Sequence, residues 1–116
     1  MIIGKNITQA YKDTNILDNV DIKIKDNVIT SIIGANGTGK STLLGVLTRL
    51  LQMKKGDVFL DDVNMKSLKS IDIAKNLAIL RQTNNINIKI TIRELVSYGR
   101  YPHSKGNLKE EDNRII

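Results

Sequence analysis

The spacing of apolar residues changes several times along the chain, and each change marks an element. Residues 2–11 read as a first strand ending at Tyr11. Val20, Ile22 and Ile24 alternate with Asp21, Lys23 and Lys25, the period of a half-exposed strand in an antiparallel sheet. Asp26-Asn27 suits a two-residue hairpin turn. Residues 28–33 are therefore expected to be a buried strand fed by an antiparallel hairpin. Leu43, Leu44, Leu47, Leu50 and Leu51 then recur at helical spacing. They predict a helix from about residue 40 to residue 55, with Lys54 and Lys55 at its negative end and Gly56 as its stop. Residues 57–61 read as a short strand. Ser70 is placed to cap a helix carrying Ile71, Ile73, Ala74 and Leu77. Residues 78–81 are apolar enough for another buried strand, ending at Gln82. Residues 83–90 are Asn-rich and irregular. Thr91-Ile92-Arg93-Glu94 has the form of a capping box, opening a helix that buries Ile92, Leu95 and Val96 and ends near Tyr101, at Gly99 and Pro102. Asn107 with Glu110 marks one more helix start, where Glu110, Glu111 and Asp112 suit the positive end. Its pattern runs through Ile115 and Ile116 without a cap, so the expectation is a piece of a longer protein.

Between the strand at 28–33 and the leucine stripe lies Gly34-Ala35-Asn36-Gly37-Thr38-Gly39-Lys40-Ser41-Thr42. It fits the phosphate-binding pattern G-x-x-x-x-G-K-[ST], in the strand–loop–helix setting that gives the pattern meaning. Gly34, Gly37 and Gly39 let the backbone turn tightly and come close to a ligand. Successive N–H groups then line one concavity, and the helix starting near Lys40 adds its unpaired N–H groups and positive dipole end. Lys40 brings a full charge to the β- and γ-phosphates, and the Ser41 hydroxyl suits Mg²⁺. The candidate nucleotide contacts in this loop are Gly34, Asn36, Gly37, Thr38, Gly39, Lys40, Ser41 and Thr42.

Composition narrows the remaining chemistry. The chain has 116 residues and a net charge of +6, enough for one modest domain with a core. The lysines are scattered and aromatics make up only 3%, which argues against a base-stacking nucleic-acid surface, so no nucleic-acid partner is expected. The absence of cysteine excludes disulfides and thiolate metal sites. A single histidine, His103, reads as a solvent-facing residue beside Pro102. No apolar run approaches the roughly 18 residues that a membrane helix needs. No secretory leader is evident either, so a cytosolic location is expected.

With these residues placed, the chain resembles the N-terminal part of an ATP-binding-cassette (ABC) ATPase over essentially its whole length. The P-loop alone is shared by many NTPases. Tyr11 lies upstream on the first strand, where that family carries an aromatic that stacks on adenine. The antiparallel strands before the loop are similar to the family's β-subdomain. Ala78-Ile79-Leu80-Arg81-Gln82 resembles the strand leading to its Q-loop glutamine. The stretch from Arg93 to His103 (RELVSYGRYPH) is similar to cassettes of importers for iron–siderophore complexes, with those for haem and cobalamin as relatives. The resemblance implies an α/β fold: a partial P-loop NTPase core with an antiparallel β-subdomain in residues 1–82, then the Q-loop exit and the start of a helical subdomain in residues 83–116. It implies ATP and Mg²⁺ as cofactors, Tyr11 on adenine, Gln82 on Mg²⁺ and the attacking water, and Lys40 and Gln82 as the catalytic residues present. It also implies integral-membrane permease subunits docking after Gln82, a second cassette subunit, and a place at the cytoplasmic side of the membrane.

Residues 58–62 mimic a Walker B strand, an apolar run followed by Asp61-Asp62. In the family this position is the strand after the P-loop helix, and the two carboxylates belong to its exposed turn. The family's L-S-G-G-Q signature, late Walker B strand and switch histidine are not found. The 116-residue chain is therefore expected to bind nucleotide weakly and to hydrolyse little or none. Three other readings stand beside the importer. A soluble cassette of DNA repair or translation is disfavoured by Tyr98-Gly99-Arg100-Tyr101-Pro102-His103. A GTPase or small-molecule kinase is disfavoured by the lack of D-x-x-G and N-K-x-D. The third is a truncated cassette that does not hydrolyse.

Overall fold

The computed structural model describes residues 1–81 and 89–116. It divides into two compact units, Met1–Leu68 and Lys69–Ile116.

The first unit is built on a long antiparallel pair. β1 (Ile2–Tyr11) turns through Lys12, held at φ 54°, into β2 (Thr14–Ile24). β3 (Lys55–Leu60) pairs with the other edge of β1, and β4 (Val63–Asn64) with β3, so the strand order is β2-β1-β3-β4. The apolar alternation of 20–24 is thus satisfied by β1, with Gly4 opposite Ile22 and Ile2 opposite Ile24. This corrects the expected hairpin: residues 20–24 pair backwards with β1 and not forwards with 28–33. Residues 28–33 form no strand at all. Ile29 and Ile33 are 97% and 91% exposed. A buried parallel strand needs hydrogen-bonding neighbours on its flanks, and among the described residues no strand pairs with this segment.

One face of the sheet carries Ile7 and Leu17, which are buried together with Val58, Leu60 and Met65. α1 (Lys40–Leu47) lies against β1 and β2 and buries Leu43, Val46 and Leu47. Side chains buried this completely stabilise by about 1.5–3 kcal/mol each, which is what holds a helix too short to persist alone. α1 stops well before residue 55. Thr48 caps it, its hydroxyl donating to the Leu44 carbonyl, and Leu51 folds back so that its N–H donates to the Gly45 carbonyl. Gly56 accordingly is no helix stop. It sits inside β3 at φ 105°, where a Cβ would stand 2.7 Å from the carbonyl oxygens of Lys5 and Asn6.

The second unit holds α2 (Ser70–Asn76), α3 (Ile92–Tyr98), α4 (Tyr101–Ser104) and α5 (Glu110–Ile115). Lys69, not Ser70, is the cap residue of α2. The capping box of α3 forms as expected. The Thr91 hydroxyl accepts from the Glu94 N–H, and the Glu94 carboxylate accepts from the Thr91 N–H. The Thr91 N–H and hydroxyl both donate to the Glu94 carboxylate and hold its carboxyl below its ordinary value. Ile92, Leu95 and Val96 are nevertheless exposed, against expectation. An amphipathic face buries only if another element covers it, and among the described residues of this unit none does. Residues 78–81 likewise form no strand. Asp112 is buried at the start of α5. Its carboxylate accepts from the Lys109 N–H and the Arg100 guanidinium, and both hold its pKa down.

Candidate nucleotide-binding site

The glycine loop follows the irregular, exposed residues 28–33 and leads into α1. Gly37 and Gly39 take φ 83° and 75°, conformations that side chains adopt only at a cost. The two glycines serve different ends. A Cβ on Gly37 would meet nothing within 4 Å, so that side of the loop faces open space. A Cβ on Gly39 would fall 2.6 Å from Ile16 Cγ2 and 3.0 Å from the Ile16 carbonyl oxygen. Gly39 is therefore where the loop is pressed against β2. It also caps α1, its carbonyl accepting from the Leu43 N–H at 3.2 Å.

Lys40 curls over its own loop. Its Nζ donates to the carbonyls of Gly34 at 2.8 Å and Ala35 at 2.9 Å, and the Thr38 hydroxyl donates to Ala35 as well. An ammonium has three donors, so one remains for a ligand. Thr38 closes a turn on Ala35; among the described residues the N–H groups of residues 39–42 donate to no protein acceptor, and the side chains of Asn36, Ser41 and Thr42 make no hydrogen bond. A run of unanswered donors, a lysine and a free hydroxyl at a helix N-terminus is a donor set matched to a polyphosphate and a hard cation. The residues present thus fit the group that the loop pattern implies.

Tyr11 is at the end of β1 opposite Thr14 and is 70% exposed. Leu17 pairs with Gln9, so the Ile16–Leu17 step that backs Gly39 lies near the same end of the sheet as Tyr11. Asp61 and Asp62 sit in the β3–β4 turn at φ 46° and 65°. Asp61 receives a hydrogen bond from the Met1 amine, as does Asp26. They are turn residues, as expected. Gln82 lies outside the described residues. A cleft of ≈ 420 Å³ opens over β1 and β2 beside Ile3, Lys5, Asp21 and Lys23, and no residue of the glycine loop lines it. The glycine loop is exposed and lies outside that cleft. Sequence reasoning missed Ile16, the residue that Gly39 needs its missing side chain to approach. The third glycine of the loop was the available signal.

A family model described as ABC transporter matches residues 17–115. The chain is 41% identical over 112 residues to the petrobactin import ATP-binding protein YclP of Bacillus subtilis, which covers 97% of this chain and 44% of that protein. It is 43% identical over 109 residues to the iron(3+)-hydroxamate import ATP-binding protein FhuC of the same organism, covering 92% of this chain and 40% of the other. Among solved structures it resembles a dimeric ATP-binding cassette in a post-hydrolysis state bound to ADP and Pi. The TM-score is 0.80 at 28% identity, over 99% of this chain and 53% of that one. The chain spans less than half the length of these curated relatives. With a glycine loop opening onto α1 and a family match running over residues 17–115, the chain belongs to the ABC transporter family.

Proposed function

We propose that this chain is the nucleotide-binding part of an importer's ATPase subunit. The observation that carries the reading is the run of N–H groups at residues 39–42, unanswered by protein and accompanied by the Lys40 ammonium and the Ser41 hydroxyl. Those amides and the spare proton of Lys40 bind the phosphates, and the Ser41 hydroxyl holds Mg²⁺. Tyr11 offers an exposed ring face to adenine at little cost in entropy. When bound, Mg·ATP supplies the phosphoanhydride whose hydrolysis drives transport. Lys40 would steady the charge on the bound phosphates, and Gln82 would help to hold the metal and the attacking water. Residues 1–82 are the nucleotide half of this arrangement. Residues 83–116 carry its state towards integral-membrane permease subunits, and a second cassette subunit completes the site.

The transported class follows from the relatives. Several are import ATP-binding proteins for iron chelates: petrobactin, hydroxamate and enterobactin. An iron–siderophore complex is therefore the cargo proposed, its uptake powered by this peripheral subunit from the cytoplasmic side of the membrane without the subunit touching the cargo. No helix among the described residues is long and apolar enough to cross a membrane.

The test is a titration of the 116-residue chain with Mg·ADP, followed by calorimetry and amide chemical shifts. Saturable shifts at residues 34–42, lost in Lys40→Ala, are expected. Saturable binding with shifts elsewhere, or none at all, would overturn the reading.

A further inference from the structure

The far end of α1 holds a contact that the nucleotide reading does not use. Arg49 follows the Thr48 cap at φ 58°, in the left-handed region. A non-glycine residue stays there only when its surroundings over-determine it. Two sets of bonds do so. The Arg49 N–H donates to the Val46 carbonyl at 3.0 Å. Its guanidinium Nη1 donates to the carbonyls of Met65 at 2.8 Å and Leu68 at 2.6 Å. Those carbonyls belong to the turn that leaves β4. Met65 is itself fixed, being buried, with its N–H donating to the Val58 carbonyl of β3 at 2.8 Å. A charged donor thus joins the turn after α1 to the β3–β4 hairpin. The phosphate loop is joined to the sheet at the opposite end, where Gly39 meets Ile16 of β2.

We propose that Arg49 is a positioning residue for the phosphate loop. By tying the turn after α1 to Met65 and Leu68, it fixes one end of a helix whose other end aims the ligand-facing amides. α1 has 8 residues, so the clamp acts across about 12 Å at the rise of an α-helix. A helix this short takes little stiffness from its own hydrogen bonds, so its direction depends on what holds its two ends. Arg49 touches no ligand and acts only through α1. The functional consequence rests on the nucleotide reading above, whereas the mechanical one does not.

The experiment compares Arg49→Ala and Arg49→Lys with the unaltered 116-residue chain. The first readout is amide chemical shift and hydrogen exchange without nucleotide. The second is affinity for Mg·ADP. In Arg49→Ala, amides of residues 39–42 are expected to shift and exchange faster, and binding to weaken roughly tenfold, as loss of about 1.4 kcal/mol would do. Arg49→Lys keeps one ammonium within reach of the carbonyls and is expected to fall between. It carries the comparison if Arg49→Ala does not fold. Changes confined to residues 48–51 and 65–69, with affinity within about twofold of the unaltered chain, would make Arg49 a local brace and overturn the proposal. Perturbed amides at 39–42 in a chain that binds no nucleotide would uphold the clamp and remove the nucleotide reading instead.

Discussion

Gly37 and Gly39 differ by one physical circumstance, and alanine at each separates it. Both have positive φ, 83° and 75°. For an L-residue that conformation costs roughly 1–2 kcal/mol. At Gly37 nothing else opposes a methyl group, since no atom lies within 4 Å of it. Gly37→Ala should therefore destabilise the free chain by about 1–2 kcal/mol. At Gly39 the methyl would stand 3.0 Å from the Ile16 carbonyl oxygen and 2.6 Å from Ile16 Cγ2. The side chain can rotate, but the carbonyl is β2 main chain between the paired Asn15 and Leu17 and yields less readily. Overpacking of this kind adds about 1–3 kcal/mol. Gly39→Ala should then cost about 2–5 kcal/mol in total. The assay is urea unfolding of the chain without nucleotide, comparing midpoints at unchanged m-value. Equal midpoints for the two variants would show that the loop does not rest on β2. The account of how the cradle is held in place would then fail.

Three further outcomes follow from the structure. The Asp112 carboxyl is held below its ordinary value by the Lys109 N–H and Arg100, so the stability it contributes is complete above the unfolded pKa of about 3.9 and is lost as pH falls through the lower folded value. Exchange protection in α5 should drop below about pH 4, and Asp112→Asn should abolish that dependence; an unchanged acid profile in the variant would contradict the assignment. Val28, Ile29 and Ile33 are exposed on a segment with no ladder partner, a template for strand pairing between copies. The chain should self-associate at high concentration and Ile29→Lys with Ile33→Lys should reduce this, whereas a clean monomer by light scattering would count against it. The purified chain should hydrolyse ATP little or not at all, because the water-activating carboxylates of the family lie in no part of these 116 residues; a robust rate that depends on Lys40 would refute this.

What could be read from the chain alone was whatever depends on neighbours in sequence. The glycine loop, the start of α1 at Lys40, the capping box at Thr91 and the two-carboxylate turn at Asp61 are local. Each is set by backbone freedom or by bonds spanning three or four residues. The first strand was legible too, because β1 and β2 are joined by a short turn. Strand pairing and burial were not. Residues 28–33 and 78–81 are apolar enough for buried strands, and Ile92, Leu95 and Val96 for a buried helix face. Apolarity states only that a surface can be covered, whereas coverage requires an element at the right place in space. Among the described residues the sheet holds only β2, β1, β3 and β4, and residues 28–33 are not in it. The same holds for the clamp at Arg49 and the rest beneath Gly39: both join residues distant in sequence, so only tertiary structure decides them.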